Sequence, residues 1–202
     1  LRECCPCGRP PSNADGDVVW CVLCPRPGAE TSGQRSEQDL RHEFAVAEVH
    51  LRSNEYSRAM LRKHQGQSIE YYNAILYLSL LSGRNPHYLI GEQVISAPII
   101  KDLGLEPIPT GYIILDGGTV TSVEFMSGTR PIPMEKKDIV ASHALAGQYL
   151  GMKTIYLEAG SGAKNHVSEE IVEFVSNFIS IPLIVGGGIS SPEIASKLVK
   201  VG

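Results

Sequence analysis

The chain has 202 residues and a formal net charge of −4. That length allows one sizeable core; the negative balance argues against a general nucleic-acid binder and leaves at most peripheral membrane contact. It carries no run of 18 apolar residues to span a bilayer and no apolar signal-peptide core at its start, a pattern expected of a cytoplasmic protein.

Amino-acid usage changes sharply near Gly66-Gln67. Residues 1–66 hold eight Arg, one Lys and no Ile, whereas residues 67–202 hold two Arg, seven Lys and eighteen Ile. A single folded domain does not change usage in this way, so two segments are expected, 1–66 and 67–202. All five Cys fall in the first segment. Cys4-x-x-Cys7 and Cys21-x-x-Cys24 stand thirteen residues apart, close to the spacing with which two knuckles grip one tetrahedral zinc ion. Against that reading, Cys5 is an extra thiol, and the Pro, Gly, Arg and Ser content suits a poorly folded or frame-shifted stretch. A polar helix is predicted over 37–63, with Leu40, Phe44, Ala47, Leu51 and Met60 as sparse apolar points.

From residue 74 onward strands and helices alternate. The apolar run Ala74–Leu81 reads as a strand buried on both faces. A helix is predicted over 86–103, burying Leu89, Ile90, Val94, Ala97 and Ile100 and kinked at Pro98. Thr110–Leu115 is the next strand, ending in the turn Asp116-Gly117-Gly118. The stiff loop Arg130-Pro131-Ile132-Pro133 leads to a helix over about 136–150, stopped by Gly151. Thr154–Leu157 is a third strand and runs into Glu158-Ala159-Gly160-Ser161-Gly162. Ser168 caps a helix to about 178, with Val167 and Val172 spaced as a hydrophobic staple. Pro182–Val185 is the fourth strand; Gly186-Gly187-Gly188 follows, then Ser191 as a helix cap and Pro192 at the first helical position.

Strand–helix alternation implies a parallel sheet in an α/β fold. Four βα units fit here, so the pattern predicts a partial (β/α)₈ TIM barrel with an atypical N-terminal segment. An open doubly wound sheet is the rival, but no G-x-G-x-x-G opens the first unit. The four units would leave two open sheet edges, which are expected to be sticky.

In either fold the chemistry belongs at the carboxyl ends of the strands. Gly186, Gly187 and Gly188, followed by a helix N-terminus, form a candidate phosphate site. Tyr156 and Glu158 lie two apart on a strand and so point the same way; the carboxylate can take a proton or hold a hydroxyl, and the phenol can donate a hydrogen bond. Gly160-Ser161-Gly162 supplies N–H donors beside them. Arg130 is a candidate for a second anion or a plain solvated cation. His143, on a helix among small residues, reads as structural.

Tyr156-Leu157-Glu158-Ala159-Gly160-Ser161-Gly162 with Val185-Gly186-Gly187-Gly188-Ile189 resembles the geranylgeranylglyceryl phosphate synthase family. Ser82-Gly83-Arg84-Asn85-Pro86, Pro109-Thr110-Gly111-Tyr112 and Arg130-Pro131-Ile132-Pro133 are similar to that family in the same order. The resemblance covers 67–202 and does not extend into 1–66. It implies a (β/α)₈ barrel in which the C3 hydroxyl of sn-glycerol 1-phosphate attacks C1 of geranylgeranyl diphosphate, with Mg²⁺ assisting departure of diphosphate. A heptaprenyl diphosphate is the alternative donor, and a homo-oligomer is compatible with the family. Carried over by position, Tyr156, Leu157, Glu158, Ala159, Gly160, Ser161 and Gly162 hold the glycerol phosphate, Glu158 grips its hydroxyls, and Gly187 and Gly188 bind its phosphate. The family's Asp-Pro-Asp-Lys-like motif, whose Asp binds Mg²⁺, has no counterpart in 1–66, so no metal ligand is assigned and the 202-residue chain is expected to be impaired in transfer. Two further readings are another phosphate-binding barrel enzyme, which would need an inward Lys, Asp or His, and a binding module built on the Cys knuckles.

Overall fold

The computed structural model describes Val22–Cys24, Val46–Glu48 and residues 74–202. The strands are β1 (Val22–Cys24), β2 (Val46–Glu48), β3 (Ala74–Leu80), β4 (Glu106–Ile114), β5 (Thr154–Glu158) and β6 (Leu183–Gly186). The helices are α1 (Glu92–Asp102), α2 (Ser122–Ser127), α3 (Lys137–Tyr149), α4 (Glu169–Phe178) and α5 (Pro192–Val201), with a π-helical turn over His87–Gly91 ahead of α1. One sheet has the order β1-β6-β5-β4-β3-β2. β2 to β6 run parallel, and β1 pairs antiparallel with β6. Four consecutive βα units from β3 to α5 thus form the arc of a partial (β/α)₈ barrel, as the alternation predicted.

β3, β5, β6 and the second half of β4 are buried on both sides, and alternation sorts their side chains into two layers. Leu76, Leu78, Leu80, Tyr112, Ile114, Tyr156 and Ile184 share the concave face, where Tyr88 joins them. Ile113, Leu115, Ile155, Leu157 and Val185 point the other way, against Val140, Ala144, Val172, Val175 and Leu198 of α3, α4 and α5. The staple on α4 is formed: Val167 and Val172 are both fully buried in that layer, and the Ser168 side chain accepts from the Ile171 amide.

Strand β4 begins four residues before the predicted Thr110, at Glu106, despite Pro107 and Pro109. The reason is directional. Leu115 N donates to Glu158 O and Lys153 N to Pro109 O, so odd residues of β4 turn their backbone toward β5. β5 begins only opposite Thr110. The missing prolyl N–H groups therefore face a side with no ladder to complete.

Two other expectations are corrected. Val46–Glu48, inside the predicted 37–63 helix, is a strand paired with Ala74–Leu76; the open backbone edge of β3 offers a ladder that a sparse apolar stripe on a helix could not match. β2 thus lies on one sheet edge and β1 on the other, so neither β3 nor β6 is left as the raw edge expected from four units alone. The rest of 37–63, along with Cys4, Cys5, Cys7 and Cys21, lies outside the described residues. On the helix after β3, Ile100 is buried as expected, but Leu89, Ile90, Val94 and Ala97 are exposed, and Tyr88, Glu92 and Gln93 are buried instead. The π turn holds one residue more than an α turn, which rotates the face presented downstream by about 100°. Gln93 then caps β3, its side-chain amide donating to the Leu78 carbonyl, and Ser79 Oγ donates to Leu89 O. The exposed Val94, Ala97 and Pro98 share one side of α1, so the carbonyl that Pro98 leaves without a donor is on the wet side of the helix. Among the described residues no helix is long and apolar enough to cross a membrane.

If the helix-facing layer carries the stability, Leu157→Ala, at a fully buried position, should cost about 2–5 kcal/mol. Val120→Ala, at a 73% exposed position, should stay within about 0.5 kcal/mol. Urea denaturation measures both, and equal losses would contradict the layer assignment.

Candidate active site

The site is built on the carboxyl end of β5. Thr154, Tyr156 and Glu158 point away from the helices. The Tyr156 ring stands edge-on to that of Tyr112, with centroids 5.2 Å apart. Glu158 is 4% exposed, and its Oε1 accepts from the Gly160 amide at 2.6 Å. A buried carboxylate is costly unless hydrogen-bonded, so this turn of backbone both stabilises and orients it. Leu157 and Ala159 are fully buried in the helix-facing core, so what they can present to a ligand is backbone. Ser161 and Gly162 are exposed at the tip of the turn. Ala159 N donates to Gly186 O at 3.0 Å, which carries the β5–β6 ladder to the strand ends.

The turn after β6 lies directly on that carboxylate. Gly187 and Gly188 have φ of +81° and +69°, left-handed conformations that L side chains rarely adopt. A Cβ on Gly187 would overlap Gly160 N and come within 2.5 Å of Glu158 Oε1; one on Gly188 would come within 2.8 Å of Asn165 O. A Cβ on Gly186 would overlap the Tyr156 hydroxyl and meet Glu158 Oε2 at 3.0 Å. Gly187 and Gly188 are therefore required by close backbone approach as well as by turn geometry, and Gly186 by the Tyr156 and Glu158 side chains that lie against it. Tyr156, Glu158, Gly160 and Gly186–Gly188 form one cluster.

The N-terminus of α5 is different from what the sequence suggested. Ser191 does cap it, accepting from Ile194 N at 3.4 Å, and Pro192 occupies the first position with no N–H to give. The Glu193 carboxyl is held below the ordinary glutamate range by its own backbone N–H and by Ser191. The first-turn donors are thus engaged within the chain, and the donors for an anion are those of the glycine turn. The Ser-Pro-Glu order at 191–193 carried this signal, because an acid at the second helical position competes for the same dipole end.

Arg130 is exposed. Its segment bridges Leu115 to Ile132 and continues the ladder on the β3 side of β4, with Asp116 N donating to Ile132 O at 3.0 Å. His143 is half-buried on α3 in a structural setting, its Nδ1 2.8 Å from Ile139 O and its Nε2 3.4 Å from Arg84 Nη2. Sequence reasoning missed Thr121 and Asn165, which pack against the glycine turns. The Thr121-x-x-Glu124 spacing could have flagged a capped helix: Glu124 N donates to Thr121 Oγ1, and Glu124 Oε2 accepts from Thr121 N.

The described residues bring together no ready-made ligand set for Mg²⁺. No group of three or more His, Cys, Asp or Glu among them could hold a metal ion. The two acids at the strand ends, Glu158 and Asp116, each already accept a backbone amide, from Gly160 and Gly118 respectively.

Parallel strands backed by helices, with glycine turns packed on a buried carboxylate at the strand ends, make an α/β fold of the partial (β/α)₈ type. The chain belongs to the PcrB family, whose model matches residues 62–201. It is 51% identical over 130 residues to the geranylgeranylglyceryl phosphate synthase of Spirosoma linguale, covering 64% of this chain and 52% of that one. It is 50% identical over 139 residues to the Pyrococcus horikoshii protein of the same name, covering 69% and 54%. Among solved structures it resembles the wild-type GGGPS of Thermoplasma volcanium, with a TM-score of 0.61, 38% identity and coverage of 65% and 52%. The same values hold for (S)-3-O-geranylgeranylglyceryl phosphate synthase from Thermoplasma acidophilum in complex with sn-glycerol-1-phosphate. The chain spans about half the length of the curated relatives it matches.

The Glu193 carboxyl should titrate below the ordinary glutamate range in an NMR pH series, and Ser191→Ala should raise its midpoint. Because the folded pKa is the lowered one, the stabilisation it lends α5 is full above the unfolded value and is lost as pH falls through the folded value. An unchanged midpoint in Ser191→Ala would remove the cap from the account.

Proposed function

We propose that the β5–β6 strand ends bind sn-glycerol 1-phosphate and that the chain carries this half of a prenyltransferase site making geranylgeranylglyceryl phosphate. The observation that carries the reading is the buried Glu158 carboxylate lying beneath two consecutive left-handed glycines. Successive backbone N–H groups in such a turn make an anion-binding concavity, while a carboxylate accepts from hydroxyls and cannot donate to a phosphate. An anion on one side and a polyol on the other is what a glycerol phosphate presents. The complex of the Thermoplasma acidophilum relative with sn-glycerol-1-phosphate supports the same ligand.

In this reading the Gly187 and Gly188 turn holds the phosphate. Glu158, fixed through Gly160, accepts from the glycerol hydroxyls with its remaining lone pairs, and Tyr156 flanks it. The C3 oxygen bonds to C1 of the prenyl diphosphate as the bond from C1 to the diphosphate oxygen breaks; diphosphate leaves, and the hydroxyl proton passes to Glu158. Arg130 is the candidate for meeting the diphosphate. The Mg²⁺ that the resemblance implies has no ligand set among the described residues, so no step is routed through it.

Isothermal titration calorimetry of the chain tests the reading. Saturable binding of sn-glycerol 1-phosphate is expected, stronger than that of inorganic phosphate. Glu158→Gln should weaken it by about 1.5–3 kcal/mol, the range for a hydrogen bond to a charged group. Gly187→Val should abolish it, because the side chain would fill the space over Glu158 Oε1. Binding that ignores both substitutions would overturn the assignment.

A further inference from the structure

The Asp116-Gly117-Gly118 turn after β4 has no place in the site so far, yet it is packed onto the β5 turn as tightly as the β6 glycines are. Asn165 N donates to Gly117 O at 3.0 Å. Gly117 is buried, and a Cβ there would overlap Ala159 O and come within 2.6 Å of the Ala163 Cβ. Gly118, at φ +81°, would place a Cβ 2.9 Å from Asn165 Nδ2. Three residues on, Thr121 closes the other side: a Cβ on Gly160 would overlap its methyl carbon. The turn is itself held rigid. Asp116 N donates to Ile132 O, and Asp116 Oδ1 accepts from Gly118 N at 2.9 Å. Residues 116–121 therefore form a brace along 159–165 on the β4 side, while Gly186–Gly188 lies on the β6 side.

We propose that Gly117 is a positioning residue that sets selectivity for a polyol phosphate over a bare phosphate. This rests on the reading of the β5–β6 site given above. The phosphate end is held by the Gly187–Gly188 turn, which Gly117 does not touch. The polyol end is held by Glu158, whose orientation depends on Gly160 N, and Gly160 sits in the turn that Gly117 and Thr121 brace. Adding a methyl group at position 117 pushes on Ala159 O, a backbone atom one residue from Glu158 and one from Gly160. The displacement reaches the carboxylate and its amide partner directly, and reaches the Gly187–Gly188 turn only at second hand, through Gly160 and Asn165, so the polyol end bears the larger effect.

The test is calorimetric titration of the parent chain and of Gly117→Ala with sn-glycerol 1-phosphate and, separately, with inorganic phosphate. Gly151→Asn serves as a control for a left-handed glycine elsewhere: it has φ +90° and nothing within 4 Å of an added Cβ. The expected result is that Gly117→Ala loses sn-glycerol 1-phosphate affinity by about tenfold or more, as small misplacements of a positioned group do, and loses clearly less affinity for inorganic phosphate. The control should match the parent with both ligands. Retained sn-glycerol 1-phosphate affinity in Gly117→Ala, or an equal loss of both ligands, would overturn the positioning role while leaving the site itself intact. A parent chain that binds neither ligand would overturn the site reading, and the positioning role with it. Should Gly117→Ala fail to fold, the parent chain decides. Its Gly117 and Gly118 amide resonances should shift on adding sn-glycerol 1-phosphate and stay in place with inorganic phosphate; identical responses to the two ligands would count against the proposal.

Discussion

The site depends on backbone meeting backbone where no side chain fits. Glu158 is buried at a strand end, where an uncompensated carboxylate would be expelled or protonated. It is kept there by the Gly160 amide, and Gly160 in turn lies against Gly187 on one side and Thr121 on the other. Each approach is closer than a Cβ allows. The glycines thus let the neighbouring loops pack onto the Glu158–Gly160 turn, whose own amide holds the carboxylate.

This arrangement stands on a rigid base. The strand residues alternate between a concave layer rich in tyrosine and leucine and a helix-facing layer of Ile, Leu and Val. Because Leu157 and Ala159 are locked into the helix-facing layer, Glu158 between them has one direction left to point. The same alternation sends Tyr156 to the concave side, against Tyr112. Mutating the outer layer should therefore move the site only through stability, whereas changes in the glycine turns act on geometry directly.

Much of this was legible in the sequence, for identifiable reasons. The apolar runs of β3, β5 and β6, and the Ser168 and Ser191 caps, are short-range signals, and the strands and helices fall within a few residues of where these signals put them. The Tyr156-x-Glu158 spacing and the three glycines at 186–188 located the cluster. What was not legible was non-local. The π turn at His87–Gly91 rotated the face of α1, so a correct helix had its buried side misassigned. The extension of β4 through Pro107 and Pro109 depends on where β5 starts, which β4's own residues do not encode. The pairing of Val46–Glu48 with β3 answers an open edge rather than a local propensity. Within the site, the helix N-terminus of α5 looked like the anion donor, but Pro192 and Glu193 had already used it up. The brace formed by Gly117 and Thr121 needed the packing of two loops that lie about forty residues apart in the chain.

The central claim is that the anion and the polyol meet at the β5–β6 glycine turns. An amide chemical-shift titration of ¹⁵N-labelled chain with sn-glycerol 1-phosphate tests it most directly. The largest shifts should fall on Gly160, Gly187 and Gly188, with α5 beyond Ser191 and the Arg84 loop little affected. Shifts centred on the first turn of α5 or on Arg84 and Arg130, with Gly187 and Gly188 unmoved, would contradict it.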